Sequence, residues 1–257
     1  MSVVYTLKRQ EYTDLGDDMA SSADRLILER WTYKSTDATL RFIVPDGCQD
    51  LIHWSIPGEK PRWTLSHLQD GLMTAHIPQG AELVGYRFAP GTELPEAALN
   101  ELAHEPGEDP DFTITKVLDA VSCDSRVAEA LLSVAELSLS IENTAGSLGV
   151  SRRTLERLLL RYTGRPPVFW SQLARVRAAA RALVSGIDPV ELAYQVGYSD
   201  QAHMSRAVKR WFGVSPSEVL RRAEHEQGLL VHHSPQRQSQ SLVRQGPPRP
   251  GSFQAAP

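Results

Sequence analysis

A chain of 257 residues is long enough for two domains that each bury a core. Two cysteines, Cys48 and Cys123, are too few for a disulfide framework or a cysteine-built zinc site and read as small packing residues. The N-terminus has no apolar h-region and no run of eighteen apolar residues occurs, so no leader or span is expected and the chain reads as cytoplasmic.

The net charge of −4 averages over unlike segments. Residues 1–134 hold 11 Lys/Arg against 22 Asp/Glu, whereas residues 135–225 hold 13 against 8. An acidic front and a basic back suggest a nucleic-acid-binding module joined to something else.

In chain order, residues 26 to about 91 show an apolar period near two, with turn signals every eight to twelve residues. Residues 38–44 and 51–56 read as strands around the turn triplet Pro45-Asp46-Gly47, and residues 81–88 as a strand closed by Pro90-Gly91. Shorter strand candidates lie at 26–33 and 62–67. An antiparallel barrel or sandwich over residues 1–95 follows. Trp54, Trp63, Tyr86 and Phe88 either line an apolar effector pocket or belong to the core.

Residues 96–134 read as a helical linker and a candidate dimerisation region. Helices are expected at 97–103 and 115–121, parted by the acidic, proline-containing stretch 105–111, and again at 126–136.

Residues 135–225 contain one pattern twice, forty-nine residues apart. The first copy reads Ser151-Arg152-Arg153-Thr154-Leu155-Glu156-Arg157 and ends Tyr162-Thr163-Gly164-Arg165-Pro166-Pro167. The second reads Asp200-Gln201-Ala202-His203-Met204-Ser205-Arg206 and ends Trp211-Phe212-Gly213-Val214-Ser215-Pro216. A short helix precedes each, at 141–149 and 189–197. Ala145 and Ala193 leave room for a crossing helix, Gly149 and Gly197 accept a left-handed turn, and Val150 and Tyr198 plug the corner. Ser151 caps the first second helix; Ser199 or Asp200 caps the other, after a turn one residue longer. Leu155, Leu158, Leu159 and Tyr162, and Met204, Ala207, Val208 and Trp211, occupy core-facing positions. Thr144 stands where an apolar residue would pack better, opposite Leu192 in the second copy. These are two helix-turn-helix units, 141–164 and 189–213, and double-stranded DNA is the expected partner.

With the buried stripes assigned, the opposite faces follow from helical geometry. The first carries Arg152, Arg153, Glu156 and Arg157, with Arg161 beyond them. The second carries Gln201, Ala202, Ser205 and Arg206, with Arg210 beyond and His203 at the edge. Arg and Gln present donor forks suited to guanine and adenine edges, and Glu accepts from cytosine. A helix over 168–184, with Phe169, Leu173, Val176, Ala180 and Leu183 on one stripe, would hold both units on one face of the duplex. Arg175, Arg177 and Arg181 lie off that stripe and are read as solvated, with phosphate contact the alternative. Residues 226–257, rich in Gln, Ser, Pro, Gly and Arg, read as a disordered tail.

Residues 135 to 224 resemble the DNA-binding domain of the AraC-type (AraC/XylS) transcription regulators. The resemblance rests on Leu148-Gly149-Val150-Ser151-Arg152-Arg153-Thr154-Leu155-Glu156-Arg157, on residues 197–206, and on Lys209-Arg210-Trp211-Phe212-Gly213-Val214-Ser215-Pro216. It departs at Val208, where the family carries Phe. It implies base contacts from Arg152, Arg153, Glu156, Arg157, Gln201, Ala202, His203, Ser205 and Arg206. In the front half, residues 45–52 and Gly85-Tyr86-Arg87-Phe88-Ala89-Pro90-Gly91 look like regulators of this kind with a cupin-like sensor half. The fold class is then α+β: an antiparallel, cupin-like β domain followed by an all-α domain. Cupin enzymes bind metal through a His-x-His pair with a later Glu and His; His53, His67 and His76 are scattered instead, so neither metal nor cofactor is expected.

The expected function is a sequence-specific transcription regulator, an activator or otherwise, acting on bacterial DNA in the cytoplasm. Contact with RNA polymerase, a small-molecule effector and a homodimer accompany that expectation, and no membrane does. A cupin-type enzyme fused to a DNA-targeting module is the alternative. A transposase- or resolvase-like fusion lacks a spaced acidic triad or a nucleophilic serine motif.

Overall fold

The period-two alternation of the front half folds into strands, and the computed structural model describes residues 26–137, 139–184 and 187–224. Among these, β1 (Ile27–Lys34), β6 (Glu82–Phe88), β3 (Gln49–Ser55) and β4 (Arg62–Leu65) form one antiparallel sheet in that order. β2 (Thr39–Ile43) and β5 (Met73–Ile77) pair separately, with Thr39 opposite Ile77 and Ile43 opposite Met73. Strand β5 was not among the expected strands, because its five residues are too short to show a period against their loop neighbours.

The expected barrel or sandwich takes the form of two sheets in apposition. Ile77 of the ribbon is buried in one cluster with Leu83 of the larger sheet, with Ile52, Trp54 and Ala75 packed around them. At the centre of the sheet Gly85 lies opposite Trp31, whose indole occupies the space that any side chain at 85 would need. The Trp31 Nε1 donates to the Asp50 carboxylate at 2.9 Å.

The other sheet face is covered by α1 (Glu96–His104) and α2 (Pro110–Leu118), whose Ala98, Leu102, Ile114, Val117 and Leu118 are buried with Leu51, Tyr86 and Phe88. Residues 96–118 are therefore a lid on the sheet rather than a linker. Helix α2 begins inside the acidic stretch read as a break. Asp109 accepts from the amides of Asp111 and Phe112, at 3.0 and 3.2 Å, and a proline in the first turn is compatible with helix. The Arg30 guanidinium then grips the Asp111 carboxylate through two bonds of 2.6 and 2.7 Å and holds it below its ordinary pKa.

The back half is all helix: α3 (Ser125–Val134), α4 (Ile141–Ser147), α5 (Arg152–Thr163), α6 (Pro167–Val184), α7 (Pro189–Gln195), α8 (Gln201–Phe212) and α9 (Pro216–Glu224). Val127, Ala130, Leu131 and Val134 of α3 are buried in the same cluster as Leu155, Val176, Leu192 and Met204. The helical body therefore starts at the α3 cap, Asp124, and not at 135. Helix α6 runs through its middle, with Leu173, Val176, Ala179, Ala180 and Leu183 all buried. The expected tail, 226–257, lies outside the described residues.

The arginines of α6 correct the reading from sequence. Arg177 is not solvated: it is 7% exposed and donates to the Asp46 carbonyl in the β2–β3 loop of the front half. Burial pulls its pKa down, against the pull of Asp46. Arg175 is half-buried over the Tyr198 ring, 5.7 Å from its centroid. Arg181 alone of the three is exposed.

Two outcomes follow from this packing. A fragment of residues 124–224 should unfold cooperatively in urea, and one of residues 135–224 should be less stable by at least about 3 kcal/mol, since burying Val127, Leu131 and Val134 contributes about 1.5–3 kcal/mol each. His53, buried and bonded at 3.1 Å through Nε2 to the Gly107 carbonyl, has its pKa lowered from 6.5 chiefly by burial. The unfolded chain thus binds this proton more readily than the folded one, and stability falls as pH drops through the ordinary histidine value. In calorimetry the Tm lost between about pH 7.5 and pH 5.5 should shrink in His53→Gln relative to the parent chain.

Candidate nucleic-acid interface

Each helix-turn-helix unit is built by local chemistry. In the first, the Ser140 hydroxyl caps α4 by accepting from the Asn143 amide at 3.2 Å. In the second, Asp188 accepts from Val190 and Glu191 at 2.8 and 3.2 Å. Both turns hold glycine at positive φ, 69° at Gly149 and 78° at Gly197, which L side chains adopt only at a cost. Val150 and Tyr198 donate their amides back to the carbonyls of Ala145 and Ala193, and both alanines are buried at the crossing.

Ser151 caps α5 by accepting from the Thr154 amide at 3.1 Å. Between the two caps left open for α8, the structure selects Asp200, which accepts from the His203 amide at 2.7 Å. Ser199 serves the same corner, with its hydroxyl 3.1 Å from His203 Nδ1 and 3.2 Å from the Asp200 carboxylate. The extra turn residue is real: Gly149 stands three places before α5, Gly197 four before α8.

Two expectations about the units change. Thr144 is 1% exposed, and its hydroxyl donates to the Ser140 carbonyl at 3.0 Å, so it packs without an unpaired polar group. Val150 does not plug its corner and is exposed, whereas Leu148 packs against the core. Tyr198 does plug its corner, edge-on to His203 with ring centroids 5.1 Å apart. Burial raises its phenol pKa to about 12.

The polar faces then turn outward. Arg152, Arg153, Glu156 and Arg157 are all exposed on α5. On α8, Gln201, Ala202, His203 and Arg206 are exposed and Ser205 is half-buried. Opposite them, Leu155, Leu159, Met204, Val208 and Trp211 are buried, so each face is displayed by its own packed stripe. Val208 is completely buried. Arg152 is engaged by Glu142 of the preceding helix in an exposed ion pair. Arg153, Glu156 and Arg157 have no hydrogen-bond or ion-pair partner in the described structure that would hold them from a ligand.

The four aromatics offered as an effector pocket do not share one site. Trp63, Tyr86 and Phe88 lie on the helix-covered face, and Phe88 is completely buried there. Trp54, one strand position out of phase with His53, faces the other way; its Nε1 donates to Thr64 Oγ1 at 2.8 Å. His53, His67 and His76 do not converge either, and no group of three metal-ligating side chains occurs among the described residues.

Sequence reasoning missed the residues that join the two halves. Arg165, just after the cap of α5, donates to the Leu68 carbonyl at 2.9 Å. Gly47 lies against Trp170 and Leu173 of α6, too close to admit a side chain. No local spacing announces such contacts, because the partners stand about a hundred residues apart in the chain.

The family match agrees with this geometry. Residues 144–222 match the family described as "Helix-turn-helix domain". The chain is 34% identical over 104 residues to the "Uncharacterized HTH-type transcriptional regulator YidL" of Escherichia coli (strain K12), which takes in 38% of this chain and 35% of that one. It is 35% identical over 98 residues to the "HTH-type transcriptional regulator GlxA" of Rhizobium meliloti (strain 1021), 38% of this chain and 30% of that one. Among solved structures, a "transcriptional regulator (AraC-type DNA-binding domain-containing proteins)" from Chromobacterium violaceum is 29% identical, with a TM-score of 0.36, covering 38% of this chain and 92% of that one. The chain thus spans about a third of the length of these curated relatives. Residues 144–222 are a helix-turn-helix domain, shared in part with these regulators.

Asp200→Ala should lower stability in urea by about 1 kcal/mol, the usual loss for an N-cap. In hydrogen exchange the His203 amide should lose protection before the rest of α8.

Proposed function

We propose that the chain is a DNA-binding transcription regulator in which α5 and α8 read base edges in neighbouring major-groove segments. The observation that carries this reading is the pair of outward polar faces held by a single packed helix, α6, within a domain of helix-turn-helix type. Arg152, Arg153, Glu156 and Arg157 act on one segment, and Gln201, Ala202, His203, Ser205 and Arg206 on the other. Helix N-termini and the flanking Arg161 and Arg210 meet phosphates. The two faces differ, one dense with arginine and the other largely neutral, so the site is asymmetric.

The same reading includes bacterial DNA in the cytoplasm as the place of action, a contact with RNA polymerase, an effector acting through the front half, and a homodimer. The front half packs directly on α6 through Gly47, which supports coupling between the halves. Phe112 on α2 and Leu132 on α3 are exposed apolar side chains in the segment expected to pair subunits. The protein acts by binding and carries out no reaction in this reading, and its named relatives are regulators.

Selection from randomised duplex DNA tests it. Two distinct sequence segments should emerge, with affinity falling steeply as salt rises. Arg157→Ala and Arg206→Ala should each cost about 1–3 kcal/mol at one base pair and relax selection there. Uniform weakening on every sequence would reassign the residue to phosphate contact. Binding that ignores both salt and sequence would refute the proposal.

A further inference from the structure

The loop between β4 and β5, residues 66–72, reaches across from the front half and touches the ends of both recognition helices. Helix α5 terminates at Gly164, a left-handed cap with φ 66°, and the next residue, Arg165, donates to the Leu68 carbonyl. Its guanidinium also faces the Asp70 carboxylate at 3.6 Å. Helix α8 terminates at Gly213, a left-handed cap with φ 71°. There Leu72 lies so close that a Cβ on Gly213 would stand 2.6 Å from its Cδ2, and Gly71 approaches the Arg210 carbonyl.

These contacts close a ring. Arg165 stacks over Phe169 at 5.0 Å, Phe169 packs against Trp211 with centroids 5.4 Å apart, and Trp211 lies two residues before Gly213. The loop completes the circuit from Gly213 back to Arg165. Without it the second helices are joined through the helical body alone. With it, their C-terminal ends carry a second tie that does not belong to the helix-turn-helix domain.

We propose that loop 66–72 is a strap that sets the separation of the two recognition helices, and that Leu72 and Arg165 are positioning residues for the spacing of the two DNA segments. The inference rests on the DNA-binding reading above. It places part of the operator specificity in the acidic front half, on residues that touch no base. One base pair of spacing moves a segment by about 3.4 Å along the duplex and about 35° around it. A strapped pair of helices tolerates that poorly, and a freed pair tolerates it better.

The test uses the full chain and a duplex library in which the two selected segments are separated by spacers from two base pairs short to two base pairs long. The parent chain should show a sharp optimum, with about tenfold weaker binding one base pair away. Leu72→Ala, and more so Leu72→Ala with Arg165→Ala, should flatten that profile to about threefold. Base preferences within each segment should stay unchanged, which shows that both helices remain folded and docked. Leu72 is partly exposed, so its truncation leaves the core intact. A profile equally sharp in parent and variants overturns the strap and leaves the DNA-binding reading standing. Failure of the parent chain to select any sequence overturns both.

Discussion

The burial of α6 is the constraint on which the rest of the molecule hangs. Val176, Ala179, Ala180 and Leu183 have no measurable exposure, and α3, α5, α7, α8 and α9 all pack against this helix. Its paired alanines let neighbouring backbones approach closely, as small side chains at a helix crossing do. Because both helix-turn-helix units lean on this one element, it fixes where each stands relative to the other. The face that remains is not free for solvent, since the front half seats Gly47 on Trp170 and Leu173.

Beside that seating lies a buried charge cluster whose partners all belong to the front half. Arg87 of β6, nearly enclosed, faces the carboxylates of Glu29, Asp46 and Asp50, and their field keeps its guanidinium charged despite burial. Asp46 thus spends its carboxylate within the front half and offers its backbone carbonyl to Arg177 across the boundary. Cys48, in the same buried corner, has its thiol pushed up to about 12, mainly by burial. It is a packing residue, as its isolation in the sequence suggests. The junction joins an acidic half to a basic one through arginine bonds to backbone carbonyls, from Arg177 to Asp46 and from Arg165 to Leu68.

Function on this scaffold comes down to which side chains are left over once packing is satisfied. On α5 the remainder is cationic, and on α8 it is mostly neutral, so two copies of one supersecondary unit present different chemistry on their outward faces. Ser205, half-buried, Arg152, engaged by Glu142, and His203, held by Ser199 and the Tyr198 ring, are the members of the candidate set whose freedom is already reduced. The strap from the front half adds a restraint that neither unit contains.

Much of the back half was legible because its signals are local. A glycine at a turn, a hydroxyl or carboxylate at a cap and an apolar residue every three or four places each act within one or two turns of helix. Gly149, Gly197, Ser151 and the stripes of α5 and α8 therefore stand where the spacing put them. Even there, Ser199 and Asp200 could be separated only by backbone geometry, and Val150 reads as a plug but has no cover. The front half was legible as strands and turns, less so as an assembly: β5 is too short to show a period, and α2 starts within a stretch whose composition suggests a break. What sequence alone determined is thus the two helix-turn-helix units and the split in charge. What only the tertiary structure decided is that α3 belongs to the helical body, that Arg177 is buried rather than solvated, and that one loop bridges both recognition-helix ends. Those contacts join residues far apart in the chain, and they rest on excluded water and on hydrogen bonds to backbone carbonyls, which leave no periodic trace in a linear sequence.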